Sequence, residues 1–309
     1  METKTYTLPQ LLPYINWSYF FHAWGLPPAV AAVAAVHPCP ACREAWIREQ
    51  GAEHQEQARE AARLFADADE LLRSHAAHFS VRARLGLFPA WSDGDDVVLW
   101  ADGKEVRLPF LRQQYVHREG DAFLCLADFI SPEKPDVKVA PKLLPRANVL
   151  GIFATATDAA AENLFPDDPY RRLLAQTLAD RLAEAAAERL HEEVCKTIWG
   201  YTPDEQFSPA ELFSEPYEGR RPAVGYPSLP DQSLMFILDD VLNLRAACIT
   251  LTESGMMRPH AAVAGLMFGH PALRHFAVGT ISEEQLADYA RRRCLAPDVL
   301  RPFLRANLE

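Results

Sequence analysis

Val97-Val98-Leu99-Trp100, Ala101-Asp102-Gly103-Lys104 and Glu105-Val106-Arg107-Leu108 follow one another without a break. Two β-branched and aromatic runs flank an Asp-Gly turn, which is the signature of a hairpin. Upstream the periodicity differs. Gln55 to Ser74 sets Ala58, Ala61, Ala62, Phe65, Ala68, Leu71 and Leu72 at three- and four-residue spacing, the stripe of a core-facing helix. Downstream, Phe123 to Phe129, Val149 to Thr155, Ala247 to Leu251, Val263 to Phe268 and His275 to Val278 read as further short strands. Helices and strands do not alternate regularly, so the expected class is α+β with an antiparallel or mixed sheet. A helical part is expected over residues 1 to about 85 and a sheet-and-helix part from about 86 to 309, within one unit.

The longest predicted helix runs from about Asp168 to Trp199, with Leu174, Leu178, Leu182, Ala185, Ala186, Leu190 and Val194 on the flank that meets the sheet. Its acids Asp180, Glu184, Glu188 and Glu192 recur every fourth residue and share a side, which reads first as a solvated face. Prolines and lysines between Ser131 and Pro145 predict an exposed loop. Ser282-Glu283-Glu284-Gln285 is a capping sequence for a late helix, and Pro297 opens a final one.

Composition narrows the function classes. With 309 residues and 49% hydrophobic content, the chain has ample material for a core. A net charge of -11 argues against nucleic acid and against an anionic membrane surface, both of which select basic faces. An acidic body is better suited to a basic protein patch. Met1-Glu2-Thr3-Lys4 lacks an apolar signal core, and the greasy stretch near Ala29 to Val36 is too short to span a bilayer, so a cytoplasmic location is expected. Six cysteines in this length make no dense disulfide framework, and Cys125, Cys195 and Cys248 read as reduced core thiols.

The chemistry concentrates in Arg221-Pro222-Ala223-Val224-Gly225-Tyr226-Pro227. The prolines fix φ and remove two donors, Gly225 admits close approach to the main chain, and Arg221 offers a planar fork suited to a carboxylate. Tyr226 adds a ring with a polar tip. The stretch reads as a loop for a small zwitterion, with a surface turn as the plainer alternative.

Leu126-Ala127-Asp128-Phe129 and Ala179-Asp180-Arg181-Leu182-Ala183-Glu184-Ala185 precede that loop, and Leu12-Pro13-Tyr14-Ile15-Asn16-Trp17, Trp199-Gly200-Tyr201, Leu251-Thr252-Glu253-Ser254, Gly269-His270-Pro271 and Phe276-Ala277-Val278 complete a collinear set. With these, the chain resembles the S-adenosylmethionine-binding activation domain of cobalamin-dependent methionine synthase. The resemblance implies a C-shaped α+β unit around a twisted antiparallel sheet. It implies that Arg221 holds the ligand carboxylate and that Asp128 receives its positive side. Glu184 and Glu215 would be acids near the ligand, while Ala223, Gly225 and Tyr226 would give loop contacts. It further implies presentation of the sulfonium methyl for reductive methylation of cob(II)alamin held by a partner methionine synthase, with a flavodoxin-like electron donor. On this reading the chain is a stand-alone methyltransferase component that is not self-sufficient, and no residue of it acts as catalytic acid, base or nucleophile.

Two departures from the family pattern stand out. His275-Phe276 replaces a tyrosine pair, and both are carried as ligand contacts. Gln232 replaces a usual histidine and Arg258 a usual aromatic, which bears on the partner-facing surface. A reactivator of another corrinoid methyltransferase, or a non-catalytic S-adenosylmethionine sensor or scaffold, are the alternatives. His37-Pro38-Cys39-Pro40-Ala41-Cys42 is a separate signal, since Cys-x-x-Cys can hold zinc or perform thiol chemistry as well as open a helix. A closed zinc site needs four ligands, no second pair follows, and only His37 and His54 stand near enough in sequence to join. No metal ligand is therefore assigned. Neither an Asp-x-His-x-x-Gly cobalamin motif nor a Gly-x-Gly-x-x-Gly nucleotide loop is present.

Overall fold

The hairpin of the opening residues forms as read. In a computed structural model describing residues 1–115, 120–214 and 216–308, β3 (Asp96–Ala101) pairs antiparallel with β4 (Lys104–Pro109). Asp102 and Gly103 make the turn at φ 49° and 80°, the paired left-handed conformation that matches strand twist. Both partners belong to a larger antiparallel sheet ordered β4-β3-β2-β5-β8, with β2 Val81–Asp93, β5 Val149–Thr157 and β8 Ala262–Met267. The fold is α+β.

The central member is β2, which the sequence analysis did not single out. Its first half is flanked by β1 (Glu2–Tyr6) on one edge and β5 on the other, while its last residues pair with β3. Two other expected strands are absent. Leu126–Phe129 is a turn of 3₁₀ helix, because Asp128 caps the Cys125 amide at 2.8 Å and draws the chain into a bend. His275 to Val278 is irregular chain held by Val278 N–H to Pro227 O (2.8 Å). Ala247 to Leu251 divides between a 3₁₀ turn and the two-residue β6 (Thr250–Leu251), paired with β7 (Met257–Arg258).

Helices cover both faces of the sheet. Along β5 all nine residues are buried, and alternate ones serve different layers. Phe153 joins the cluster containing α1 (Leu8–Leu11), α2 (Trp17–Ala23), α3 (Pro40–Glu49) and α4 (Gln55–Ser74), whereas Leu150, Ile152, Ala154 and Ala156 join the opposite cluster. A short α5 (Ala159–Glu162) leads into α6 (Pro169–Glu193), which lies across the first face. Thr155 and Thr157 donate from β5 to the Ala183 and Ala179 carbonyls of α6 at 2.9 and 2.8 Å. Small residues at those positions let helix and sheet approach closely.

After α7 (Pro209–Leu212), the apolar helix α8 (Leu234–Leu242) covers the second face. Then α9 (Glu283–Arg292) and α10 (Pro297–Leu300) form their own small core around Tyr289. The expected cap is present, with Ser282 accepting from the Gln285 amide. No helix among the described residues is long and apolar enough to cross a membrane.

Candidate functional site

Helix α6 begins where Asp168 accepts from the Arg171 amide at 3.0 Å and Pro169 takes the first helical position. From that start, Arg181, Glu184, Glu188 and His191 fall at spacings of three, four and three, so all four share a face. That face is a cavity wall, not a solvated surface. Glu188 and His191 are buried, and Glu192 accepts from the Tyr14 hydroxyl at 2.5 Å. The expectation of a water-facing acidic stripe fails at Glu188 and Glu192, where Tyr217, Arg221 and Tyr14 bond to the carboxylates, whereas Asp180 lies outside the cavity beside the exposed His260.

The opposite wall is built by residues 220 to 226. Arg220 exchanges backbone hydrogen bonds with Phe268 (3.0 and 2.9 Å), Leu266 N–H donates to Pro222 O (2.9 Å), and Val224 N–H donates to Ala264 O (3.0 Å). The segment thus lies antiparallel along the edge of β8, where Pro222 needs no donor of its own. Gly265 allows this approach, since a Cβ there would come within 2.3 Å of Pro222 O and 2.7 Å of Ala223 Cα. The turn closes with Gly225 at φ 88°, its N–H donating to Leu229 O at 2.9 Å.

Between the walls lies a cavity of ≈ 730 Å³. At its floor Arg221 Nη2 donates to Glu188 Oε2 at 2.5 Å, and Nη1 lies 3.1 Å from His191 Nδ1. Tyr217 donates to Glu188 Oε1 at 2.8 Å and packs its ring 4.3 Å from that of His191. Burial, followed by the Arg221 and Arg220 charges, drives the His191 pKa well below its ordinary value, so the imidazole is neutral. Burial, then the Glu188 charge, pushes the Tyr217 pKa up, keeping the phenol a donor. Near the mouth the Tyr226 hydroxyl lies 3.4 Å from Glu184 Oε1, and the Glu184 charge is the first cause of its raised pKa. Phe153, Val263, Phe213 and Phe276 supply apolar wall. Among the described residues, His191 Nε2 and Arg181 Nε are buried without a hydrogen-bond partner, and both side chains line the cavity.

Of the expected site residues, Glu184, Arg221, Ala223, Tyr226, His275 and Phe276 converge on this cavity. Gly225 shapes the turn behind it. Asp128 does not line it; both its oxygens are taken by Arg112 at 2.7 and 2.8 Å, and Arg112 is also held by Asp95. One link remains, because neighbouring Gln113 donates to the Ala277 carbonyl at 2.8 Å and Ala277 borders the cavity. Glu215 lies outside the described residues. Gln232 is half-buried and donates to Gly255 O at 2.8 Å, so its substitution bears on the loop and not on an outer face, whereas Arg258 is exposed.

Sequence reasoning assigned no role to Glu188, His191, Arg181, Tyr217 or Tyr19. For the first three the three-four-three spacing around Glu184 was a usable signal. Tyr217 and Tyr19 carried none, since their contribution depends on segments distant in sequence.

The cysteines are all free, with Cys125 and Cys195 buried as expected but Cys248 exposed. Cys39 caps α3 and accepts from the Cys42 amide at 3.2 Å; hydrogen bonds from the Cys42 thiol and amide pull its pKa down to about 7.

The geometry has counterparts among known proteins. A crystal structure of the MetH reactivation domain bound to AdoHcy superposes with a TM-score of 0.81 at 35% sequence identity, covering 99% of this chain and 90% of the other. The family described as vitamin B12 dependent methionine synthase, activation domain, matches residues 7–294. With agreement of that extent in both sequence and fold, the chain belongs to the family of vitamin B12-dependent methionine synthase activation domains.

Proposed function

We propose that this chain binds S-adenosylmethionine in the cavity between α6 and the β8 edge and presents its methyl group for reductive methylation of cob(II)alamin held by a methionine synthase module. The observation that carries this reading is the convergence of Arg221, Glu184 and a bare-backbone turn on one cavity, in a chain whose structural neighbour is described as bound to AdoHcy.

The donor set suits the ligand. A sulfonium amino acid needs a cation for its carboxylate, anions for its positive groups and a wall that excludes water. Arg221 is fixed by Glu188, so its guanidinium is oriented before any ligand arrives and loses little freedom on binding. Glu184 and Tyr226 at the mouth face the positive side, and the buried nitrogens of His191 and Arg181 supply polar sites along the helix. Asp128 would act through the Arg112 and Gln113 contacts unless ligand binding releases it.

The reaction asks little acid-base work of these residues, because methyl transfer from a sulfonium is displacement at carbon and depends on positioning. Cobalamin, once reduced by one electron, supplies the nucleophile from its own protein. This chain contributes a held amino-acid tail, a dry wall and an orientation that leaves the methyl toward the mouth. Electrons would come from a flavodoxin-like donor, and the activity belongs to a methyltransferase completed by the cobalamin module.

The test mixes the purified chain, S-adenosylmethionine, a reductant and a methionine synthase loaded with cob(II)alamin but lacking its own activation domain. The cobalamin spectrum should pass to that of methylcobalamin, with label transferred from a methyl-labelled donor. Absence of transfer above the background without this chain would sink the proposal.

A further inference from the structure

We propose that His37, Cys39 and Cys42 form a binding site for a thiophilic d¹⁰ cation, Zn²⁺ foremost, with two thiolates and one imidazole as ligands and water at the fourth position. The three donor atoms lie within 4.8 Å of one another. Tetrahedral geometry on a Zn–S bond of about 2.3 Å places ligand atoms roughly 3.8 Å apart, so side-chain rotation of about 1 Å closes the site.

The local chain presets that arrangement. Pro38 and Pro40 flank Cys39 and restrict the backbone on both sides, leaving Cys39 extended at φ -67° and ψ 145° before the ten-residue α3. The Cys39 amide donates to His37 Nδ1 at 3.3 Å, and the Cys42 amide donates to Cys39 Sγ at 3.2 Å. The first bond requires a lone pair on Nδ1, so that nitrogen is unprotonated and can turn from the amide to a metal. Two sulfurs and one imidazole nitrogen select soft or borderline ions over magnesium or calcium. Both cysteines bind as thiolates, any thiol proton still present passing to solvent, and the two negative charges balance a divalent ion. All three residues are exposed or half-buried, so the fourth position is open to water. His54 is not a member of the cluster; it lies beside Glu53.

None of the three residues lines the proposed ligand cavity. The metal site therefore stands or falls separately from the S-adenosylmethionine site. Cys248 and Cys294, also exposed, belong to no such cluster among the described residues and serve as controls.

The full chain, reduced and stripped with chelator, should be titrated anaerobically with Co²⁺ and then with Zn²⁺. The expected result is one cobalt per chain with a sulfur-to-cobalt charge-transfer band, displacement by one equivalent of zinc, and proton release on binding of at most two per ion. Cys39→Ser and Cys42→Ser should each reduce the band and weaken cobalt binding, their combination should abolish the band, and His37→Ala should weaken zinc binding roughly tenfold or more. Cys248→Ser and Cys294→Ser should retain it. Circular dichroism and calorimetry with S-adenosylmethionine should be unchanged throughout, which shows that each variant is folded. No charge-transfer band, a band that survives the Cys39→Ser/Cys42→Ser double change, or reversible disulfide formation with no cobalt uptake by the reduced protein overturns the proposal.

Discussion

Arg221 and Glu188 are the residues on which the site balances. Their side chains are only 18% and 8% exposed, so each charge depends on the other. Among the described residues, Arg221→Ala leaves buried Glu188 with only the Tyr217 hydroxyl as a strong donor, and should lower the unfolding free energy by about 3 kcal/mol in urea melts. Binding of S-adenosylmethionine should weaken by about 2 to 5 kcal/mol in calorimetry. Adding Glu188→Gln should restore most of the stability but not the binding; recovery of both would show that Arg221 is purely structural. His191 gives a pH signature. Its pKa is depressed when folded, so below about 6.5 the unfolded chain binds the extra proton and stability is lost as pH falls further. His191→Gln should flatten that part of a stability-pH profile relative to the parent. Arg221 was legible in sequence as a fork beside prolines, and helical spacing puts Glu188 on the face of Glu184, but that this position, 33 residues upstream, is buried against Arg221 comes only from the fold.

At the scale of elements, the edge segment 220–224 depends on Gly265. A methyl group there meets the backbone of Pro222, which cannot rotate away as a side chain can. Gly265→Ala should cost about 1 to 3 kcal/mol by overpacking and should also weaken ligand binding by displacing Arg221 and Ala223. Unchanged calorimetry in a folded Gly265→Ala protein would contradict that coupling. Thr155→Val and Thr157→Val test the seat of α6 on the sheet, each with an expected loss of about 1 kcal/mol in urea unfolding. The hairpin and the helices Gln55–Ser74 and Pro169–Glu193 were readable because periodicity and turn chemistry are local. The run Phe123 to Phe129 misled for the opposite reason, since an Asp128 cap and an Arg112 clamp overrode its strand-like composition.

For the whole molecule, a net charge of -11 should make encounter with a basic partner surface sensitive to ionic strength. The rate of methyl transfer in trans, measured under partner-limited conditions, should fall on the order of tenfold from low to high salt. A flat salt profile would indicate that docking does not rely on long-range charge. By itself the sequence determined the α+β class, the main helices, the hairpin, the family and the loop carrying Arg221, because each rests on short-range pattern or on collinear motifs. Only the tertiary structure decided that β2 is the sheet's centre, that Glu184 and Glu188 of α6 line a cavity, that Arg221 is held by Glu188 and His191, and that Asp128 is turned to Arg112. Burial is a property of the packed assembly: a residue's surroundings are set by segments far away in the chain, and their arrival leaves no local trace.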